Sequence, residues 1–260
     1  MSSSRRTRFV LTLIAILIGM VLIAPTVAVI PMGFTAKRSL SFPPEGWSLR
    51  WYEEFFTNPA WFGALGNSLG IAAVVTLLAV ILGTLAALAL VRSTMRTKGL
   101  VNLVVLAPLV VPVVVVGVGV YAVFLQWRLV GTPLGFVLAH TVLAVPYVVI
   151  TVSASLRTMD WGLERAAASL GATPWRSFRR VTLPHISGGV AAGALFAFIT
   201  SFDETVVSLF LSSSDLRTLP VQMYTSVTRD TDPTIATASS IILVLTTGLL
   251  LLTLLRKQTK

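Results

Sequence analysis

Two adjacent carboxylates, Asp203 and Glu204, stand inside a long apolar stretch, and they are the only acids so placed. A charged side chain at the centre of a membrane helix costs about 2.5–3.5 kcal/mol on insertion scales, so it faces a cavity, a pathway or a partner. Beside a pathway, a carboxylate would offset the desolvation of an ammonium group. The other reading sets both near the outer interface, partly hydrated, where they orient the helix. Catalysis fits less well. An intramembrane enzyme needs a nucleophile–base pair or metal ligands at that depth, and adjacent helical residues point about 100° apart. No Ser/His or His/Glu set accompanies the pair. His140 falls in a different apolar stretch, where an intramembrane hydrogen bond is its expected role, and His185, after Pro184, is expected to be solvated. The absence of cysteine removes disulfides, thiol nucleophiles and Cys-based metal sites. No G-x-x-x-x-G-K-[ST] phosphate loop occurs. The chain is therefore expected to hold no cofactor and not to be an enzyme, and any ATP and magnesium belong to another polypeptide.

The elements that position these residues follow from composition. Hydrophobic residues make up 55% of the 260, charged residues only 12%, and mean hydropathy is +0.87. A soluble domain carries roughly 25% charged residues, so the solvent here is lipid. Apolar runs cover Phe9–Ile30, Ser68–Val91, Leu100–Leu125, Phe136–Leu156, Ile186–Leu211 and Ile235–Leu255. Each has the length of a spanning helix, about 20 residues. Pro25, Pro108, Pro112 and Pro146 lie inside them, which membranes tolerate because neighbouring helices satisfy the freed backbone groups. Arg5, Arg6 and Arg8 precede the first run, which exceeds the roughly 7–15 residues of a signal-peptide core, so an uncleaved anchor is expected. The fold class is an all-α integral membrane protein: six transmembrane helices in one domain over residues 1–260. Trp47, Trp51, Trp61, Trp127, Trp161 and Trp175 fall in loops or near span ends, as an aromatic belt requires.

A net charge of +10 could suggest nucleic acid. Its distribution says otherwise. With the N-terminus inside, segments 1–8, 92–99, 157–185 and 256–260 are cytoplasmic and hold 14 basic residues against Asp160 and Glu164. The outer segments balance six basic residues, Lys37, Arg38, Arg50, Arg128, Arg217 and Arg229, against six acids: Glu45, Glu53, Glu54, Asp215, Asp230 and Asp232. Basic residues gather in cytoplasmic loops of membrane proteins. The charge thus reads as topology, with both termini cytoplasmic and no nucleic-acid partner.

The loop from Arg157 to Pro184 is the most informative segment. It predicts two short helices. Asp160 caps the first, Leu163, Ala167 and Leu170 give it an apolar stripe, and Gly171 ends it. Thr173 caps the second, with Pro174 at its first position. Arg176, Arg179 and Arg180 are suitably placed for lipid headgroups. Ala166, Ala167 and Ala168 keep the first helix slim, so another protein surface could approach. An amphipathic connector lying on the membrane would account for the same pattern.

The run Arg165-Ala166-Ala167-Ala168-Ser169-Leu170-Gly171, followed after nine residues by Val181-Thr182-Leu183-Pro184, resembles the EAA loop of ABC importer permeases. That pattern is E-A-A, three residues, G, nine residues, then I-x-L-P. Ala166, Ala167, Gly171, Leu183 and Pro184 match, Val181 replaces Ile, and Arg165 occupies the Glu position, with an acid one residue earlier at Glu164. The resemblance implies a type I importer permease of the bacterial inner membrane whose loop forms a coupling helix. It assigns ATPase coupling to Glu164, Arg165, Ala166, Ala167, Gly171, Leu183 and Pro184. It further implies an ABC ATPase dimer, a second and different permease subunit, and a periplasmic or lipid-anchored substrate-binding protein, all within membrane lipid.

Other segments carry the resemblance toward spermidine/putrescine permeases. They are Phe42-Pro43-Pro44-Glu45-Gly46-Trp47-Ser48-Leu49-Arg50-Trp51-Tyr52, Ser201-Phe202-Asp203-Glu204, Thr218-Leu219-Pro220-Val221 and Asp232-Pro233-Thr234-Ile235-Ala236. Polyamine is thus the expected cargo, with Asp203 and Glu204 on the candidate pathway. Relatives importing aminoethylphosphonate or ferric iron carry similar stretches. Many polyamine members have an acid where this chain has Val113. A non-transporting sensor that docks an ATPase is a further alternative, which an otherwise complete six-span core argues against.

Overall fold

The computed structural model describes residues 2–94, 96–229 and 232–258; of the charges counted above, Asp230 and Lys260 lie outside them. Among the described residues the secondary structure is helical, with one isolated bridge between Thr35 and Trp47 and no strand. In chain order the helices are α1 (Ser2–Met32), α2 (Arg50–Thr57), α3 (Pro59–Arg92), α4 (Lys98–Leu106), α5 (Val113–Gln126) and α6 (Pro133–Arg157). Then follow α7 (Gly162–Ser169), α8 (Pro174–Ser177), α9 (Leu183–Phe202), α10 (Val206–Leu211), α11 (Leu219–Arg229) and α12 (Thr234–Gln258). Among the described residues, four helical stretches are long and apolar enough to cross a bilayer: Thr7–Met32, Pro59–Arg92, Pro133–Arg157 and Pro174–Phe202. A fifth forms if α4, its 3-10 extension to Leu109 and α5 count as one broken span.

Two of the expected spans are interrupted. The run Leu100–Leu125 bends by 96° between Leu109 and Val113. Pro108 and Pro112 explain the break: each lacks a backbone donor and so leaves a carbonyl of the preceding turn without its helical partner. The run Ile186–Leu211 is not one helix either. α9 stops at Phe202, and α10 starts at Val206. Polar Asp203, Glu204 and Thr205 fill the gap and compete for backbone groups.

The chain forms two compact units, Met1–Phe62 with Met223–Gly248, and Gly63–Gln222 with Leu249–Lys260. In the first, the Thr237 hydroxyl donates to the Gly33 carbonyl at 3.4 Å, and Phe34 packs on Tyr52 with ring centroids 4.8 Å apart. Trp51 and Trp61 are buried rather than lying in an aromatic belt: Trp51 and Phe55 are the buried residues of α2, and Trp61, in the first turn of α3, packs on Phe55. The apolar side chains of α1 from Phe9 to Ile23 are exposed.

The second unit is built around α6. Its start is fixed by Thr132, whose hydroxyl accepts the Gly135 N–H at 3.1 Å, with Pro133 in the first turn. Phe136, Leu143, Val148, Val152 and Leu156 join Val75 and Ala79 of α3, Ile186 and Ala197 of α9, and Val207 and Leu211 of α10 in one apolar core. Glycine sets the spacing. A Cβ on Gly193 would sit 2.6 Å from Thr151 Oγ1 and 3.0 Å from Val148 Cα, and one on Gly83 would meet Val148 Cβ at 2.6 Å. Gly189 and Gly193 are four residues apart, the small-residue spacing that lets membrane helices approach closely.

Candidate functional site

The loop after α6 is organised by backbone chemistry. Asp160 Oδ1 accepts the Gly162 N–H at 2.7 Å and opens α7. At the other end the Gly171 N–H donates to the Ala168 carbonyl at 2.9 Å, and the Ala172 N–H to the Ala167 carbonyl at 3.0 Å. This paired closure needs a left-handed residue just past the helix, and Gly171 supplies it with φ +80°. A Cβ there would meet nothing within 4 Å, so the requirement is one of backbone conformation, not space. Leu170, one residue before, is 89% exposed and forms the tip.

Glu164 anchors this tip to the membrane helices. Its Oε1 accepts from Arg92 Nη2 at 2.5 Å and from the Thr182 hydroxyl. The Arg92 guanidinium also lies 5.2 Å above the Trp161 ring. One carboxylate thereby joins the end of α3, the first turn of α7 and the approach to α9. Arg165 is exposed, with no ion-pair partner among the described residues. The inward acid is thus one residue earlier than the family pattern places it, and Arg165 occupies the outer face beside Ala166.

Thr173 caps α8 by accepting the Arg176 N–H at 3.3 Å. A π-helical turn, Phe178–Thr182, follows and runs straight into α9, so the second short helix expected from sequence is the beginning of the long helical stretch Pro174–Phe202. Pro184 accounts for the turn. It cannot donate to the preceding turn, and the Leu183 N–H reaches back five residues to the Phe178 carbonyl instead. Thr182, fully buried, meets Glu164 from this turn. From sequence Arg92 reads only as a charge and Thr182 has no role, because the partner that joins them, Glu164, lies 72 residues from Arg92 and beyond two intervening apolar runs.

Asp203 and Glu204 lie in the break between α9 and α10, not within a helix. Glu204 Oε1 accepts the Val207 N–H at 2.8 Å, satisfying a donor that α10 leaves open. Its side chain lines a cavity of about 300 Å³ together with Pro108, Leu109, Val113, Leu143, Tyr147 and Thr200. The two helix breaks therefore meet at one cavity. Asp203 is exposed. His140 is buried and bridges the break from α6, with Nδ1 3.0 Å from Ser201 Oγ and Nε2 3.1 Å from Ser208 Oγ. Tyr147 and Thr200 were missed because neither carries charge.

An all-helical core with spans long enough for a bilayer, two helix breaks meeting at one cavity and an exposed loop after α6 is the architecture of a polytopic membrane protein. Residues 79–260 match the family described as binding-protein-dependent transport system inner membrane component, and the chain belongs to it. It is the permease subunit of an ABC importer, a multi-pass protein of the bacterial inner membrane. The putrescine transport permease PotI of Escherichia coli K12 is 38% identical over 205 residues, 76% of this chain and 73% of that one. The spermidine/putrescine permease PotC of Haemophilus influenzae is 33% identical over 211 residues, 80% of this chain and 81% of that one. The molybdenum transport permease ModB of Mycobacterium bovis is 36% identical over 224 residues, 80% of this chain and 82% of that one. A bacterial alginate ABC transporter, solved with its alginate-bound periplasmic protein, shares the fold at a TM-score of 0.72 and 18% identity, over 96% of this chain and 93% of that one.

Proposed function

We propose that the chain forms half of a translocation pathway for a polyamine, paired with a second permease and two ATPases and fed by an external binding protein. Six spans with both termini cytoplasmic, α4 and α5 together making the third, agree with the charge distribution. The ATPase docks on the tip at Leu170 and Gly171. Nucleotide-driven motion there is passed through Glu164 to α3 and α9, which swings the core between inward-open and outward-open states. The observation that carries this reading is the three-way junction at Glu164, because a docking element transmits force only if it is tied to the spans.

Polyamine cargo is supported by PotI and PotC and by the chemistry of the cavity. Glu204, Tyr147 and Thr200 offer a carboxylate, a ring and a hydroxyl to an alkylammonium ion. ModB favours a second reading, an anionic molybdenum species, but that cargo would meet the Glu204 carboxylate with like charge. The test is ATP-dependent uptake of labelled putrescine and spermidine by proteoliposomes containing the whole co-expressed complex. Uptake that Glu204→Gln reduces at least tenfold, with ATP hydrolysis retained, is the expected result. An assembled, ATP-hydrolysing complex that takes up neither polyamine overturns the cargo and leaves the importer class intact.

A further inference from the structure

A second, larger cavity of about 770 Å³ lies between α4, α6 and the end of α3, apart from both the Glu204 cavity and the Leu170 tip. No side chain of α4 is buried, so this helix stands off from its neighbour with the cavity beneath it. Lys98, Asn102, Ser153 and Arg157 line it, and none of them forms a side-chain hydrogen bond or ion pair with another described residue. No carboxylate lines the cavity.

The polar and apolar groups are layered. Lys98 opens α4 and Arg157 closes α6, while Leu106 and Ile150 lie further along these two helices and supply apolar wall, with Leu90 and Val91 at the end of α3 forming a third, apolar side. At 1.5 Å per residue the two layers are roughly 10–12 Å apart. This is the profile of a lipid headgroup above its first acyl carbons.

The geometry points to a binding site for an acidic phospholipid at the cytoplasmic ends of α4 and α6. Its phosphodiester lies between the Lys98 ammonium and the Arg157 guanidinium, where charge-assisted hydrogen bonds are strong. The Asn102 amide and the Ser153 hydroxyl donate to the remaining oxygens. The upper acyl chains pack on Leu106 and Ile150. Basic pockets between spans on the cytoplasmic side commonly hold acidic headgroups, and a free phosphate ion would leave the apolar layer unused. The lipid supplies the packing α4 lacks and braces the root of the docking loop, which begins at Arg157.

The purified co-expressed complex, delipidated and then offered phosphatidylglycerol or phosphatidylcholine, tests this by native mass spectrometry. The wild type is expected to retain one phosphatidylglycerol per copy of this chain, at least tenfold more tightly than phosphatidylcholine. Lys98→Ala with Arg157→Ala loses that lipid, while Lys98→Arg with Arg157→Lys keeps it, which separates loss of charge from loss of fold. Equal retention by the wild type and the alanine pair overturns the site. So does displacement of the lipid by inorganic phosphate, which marks a small-anion pocket, or efficient cross-linking of Asn102→Cys to the second permease, which marks a subunit interface. None of these readouts depends on the cargo.

Discussion

At the residue scale, Glu164 and Gly171 divide the work of the 157–185 loop between anchoring and shape. Removing the Glu164 carboxylate leaves the buried Thr182 hydroxyl without its acceptor, a loss of about 1–3 kcal/mol. The Arg92 pair, about half exposed on the arginine side, adds less than about 1 kcal/mol. Glu164→Ala should therefore leave the complex assembled on co-purification while cutting cargo-stimulated ATP hydrolysis several-fold. Glu164→Gln, which still accepts from Thr182, should fall in between. Gly171 acts differently. Its open surroundings mean a side chain meets no obstacle, but φ +80° costs most L-residues about 1–2 kcal/mol. Asn tolerates that conformation and β-branched residues do not. Uptake should therefore decline in the order Gly, Asn, Ala, Val at position 171. An Asn variant as damaged as the Val variant would show that contact, not backbone conformation, explains the glycine.

At the element scale, the packing of α9 on α6 decides whether the loop has anything rigid to push. Gly193 faces Val148 Cα and Thr151 Oγ1 so closely that any side chain separates the helices. Gly193→Leu should lower the detergent-solubilised complex's melting temperature by several degrees, whereas Gly188→Leu, which meets nothing within 4 Å, should leave it unchanged. Helix existence was legible in the sequence because apolar runs of span length have no other stable fate in lipid. The cap at Thr173 and the turn at Gly171 were legible for a local reason, each depending on residues within a few positions; Asp160 makes its bond to the Gly162 N–H as a turn just before α7, whose cap position is Trp161. What could not be read were interruptions set by competition between local groups and a continuous apolar pattern. Asp203 and Glu204 looked like part of a helix because Val206 to Leu211 continues the hydropathy, and Pro108 and Pro112 looked like tolerated kinks. The Glu164–Arg92 contact joins residues 72 apart, a separation that no local pattern encodes.

At the scale of the whole molecule, topology organises everything above, since docking, cargo and lipid proposals all require the 157–185 loop and the ends of α4 and α6 to face the ATPase side. The charge asymmetry makes this a sharp expectation. With both termini cytoplasmic, fourteen basic residues face two acids inside while the outer segments balance, the pattern the positive-inside rule expects. The chain is also free of cysteine, so a single introduced thiol reports its side without background. In intact cells, after outer-membrane permeabilisation, a membrane-impermeant maleimide should label Ser39→Cys and Ser214→Cys. It should leave Ser169→Cys and Thr97→Cys unlabelled until the inner membrane is opened. Ser169 is the strictest position, because it is exposed at the end of α7 and lacks burial as an excuse for silence. Labelling of Ser169→Cys from outside would invert the protein, place the Leu170 tip away from any ATPase and end the coupling account. Silence there, together with labelling at residue 39, would leave the ATPase side as the one location for the loop, since α3 to α6 must then cross the bilayer an odd number of times between the two probes.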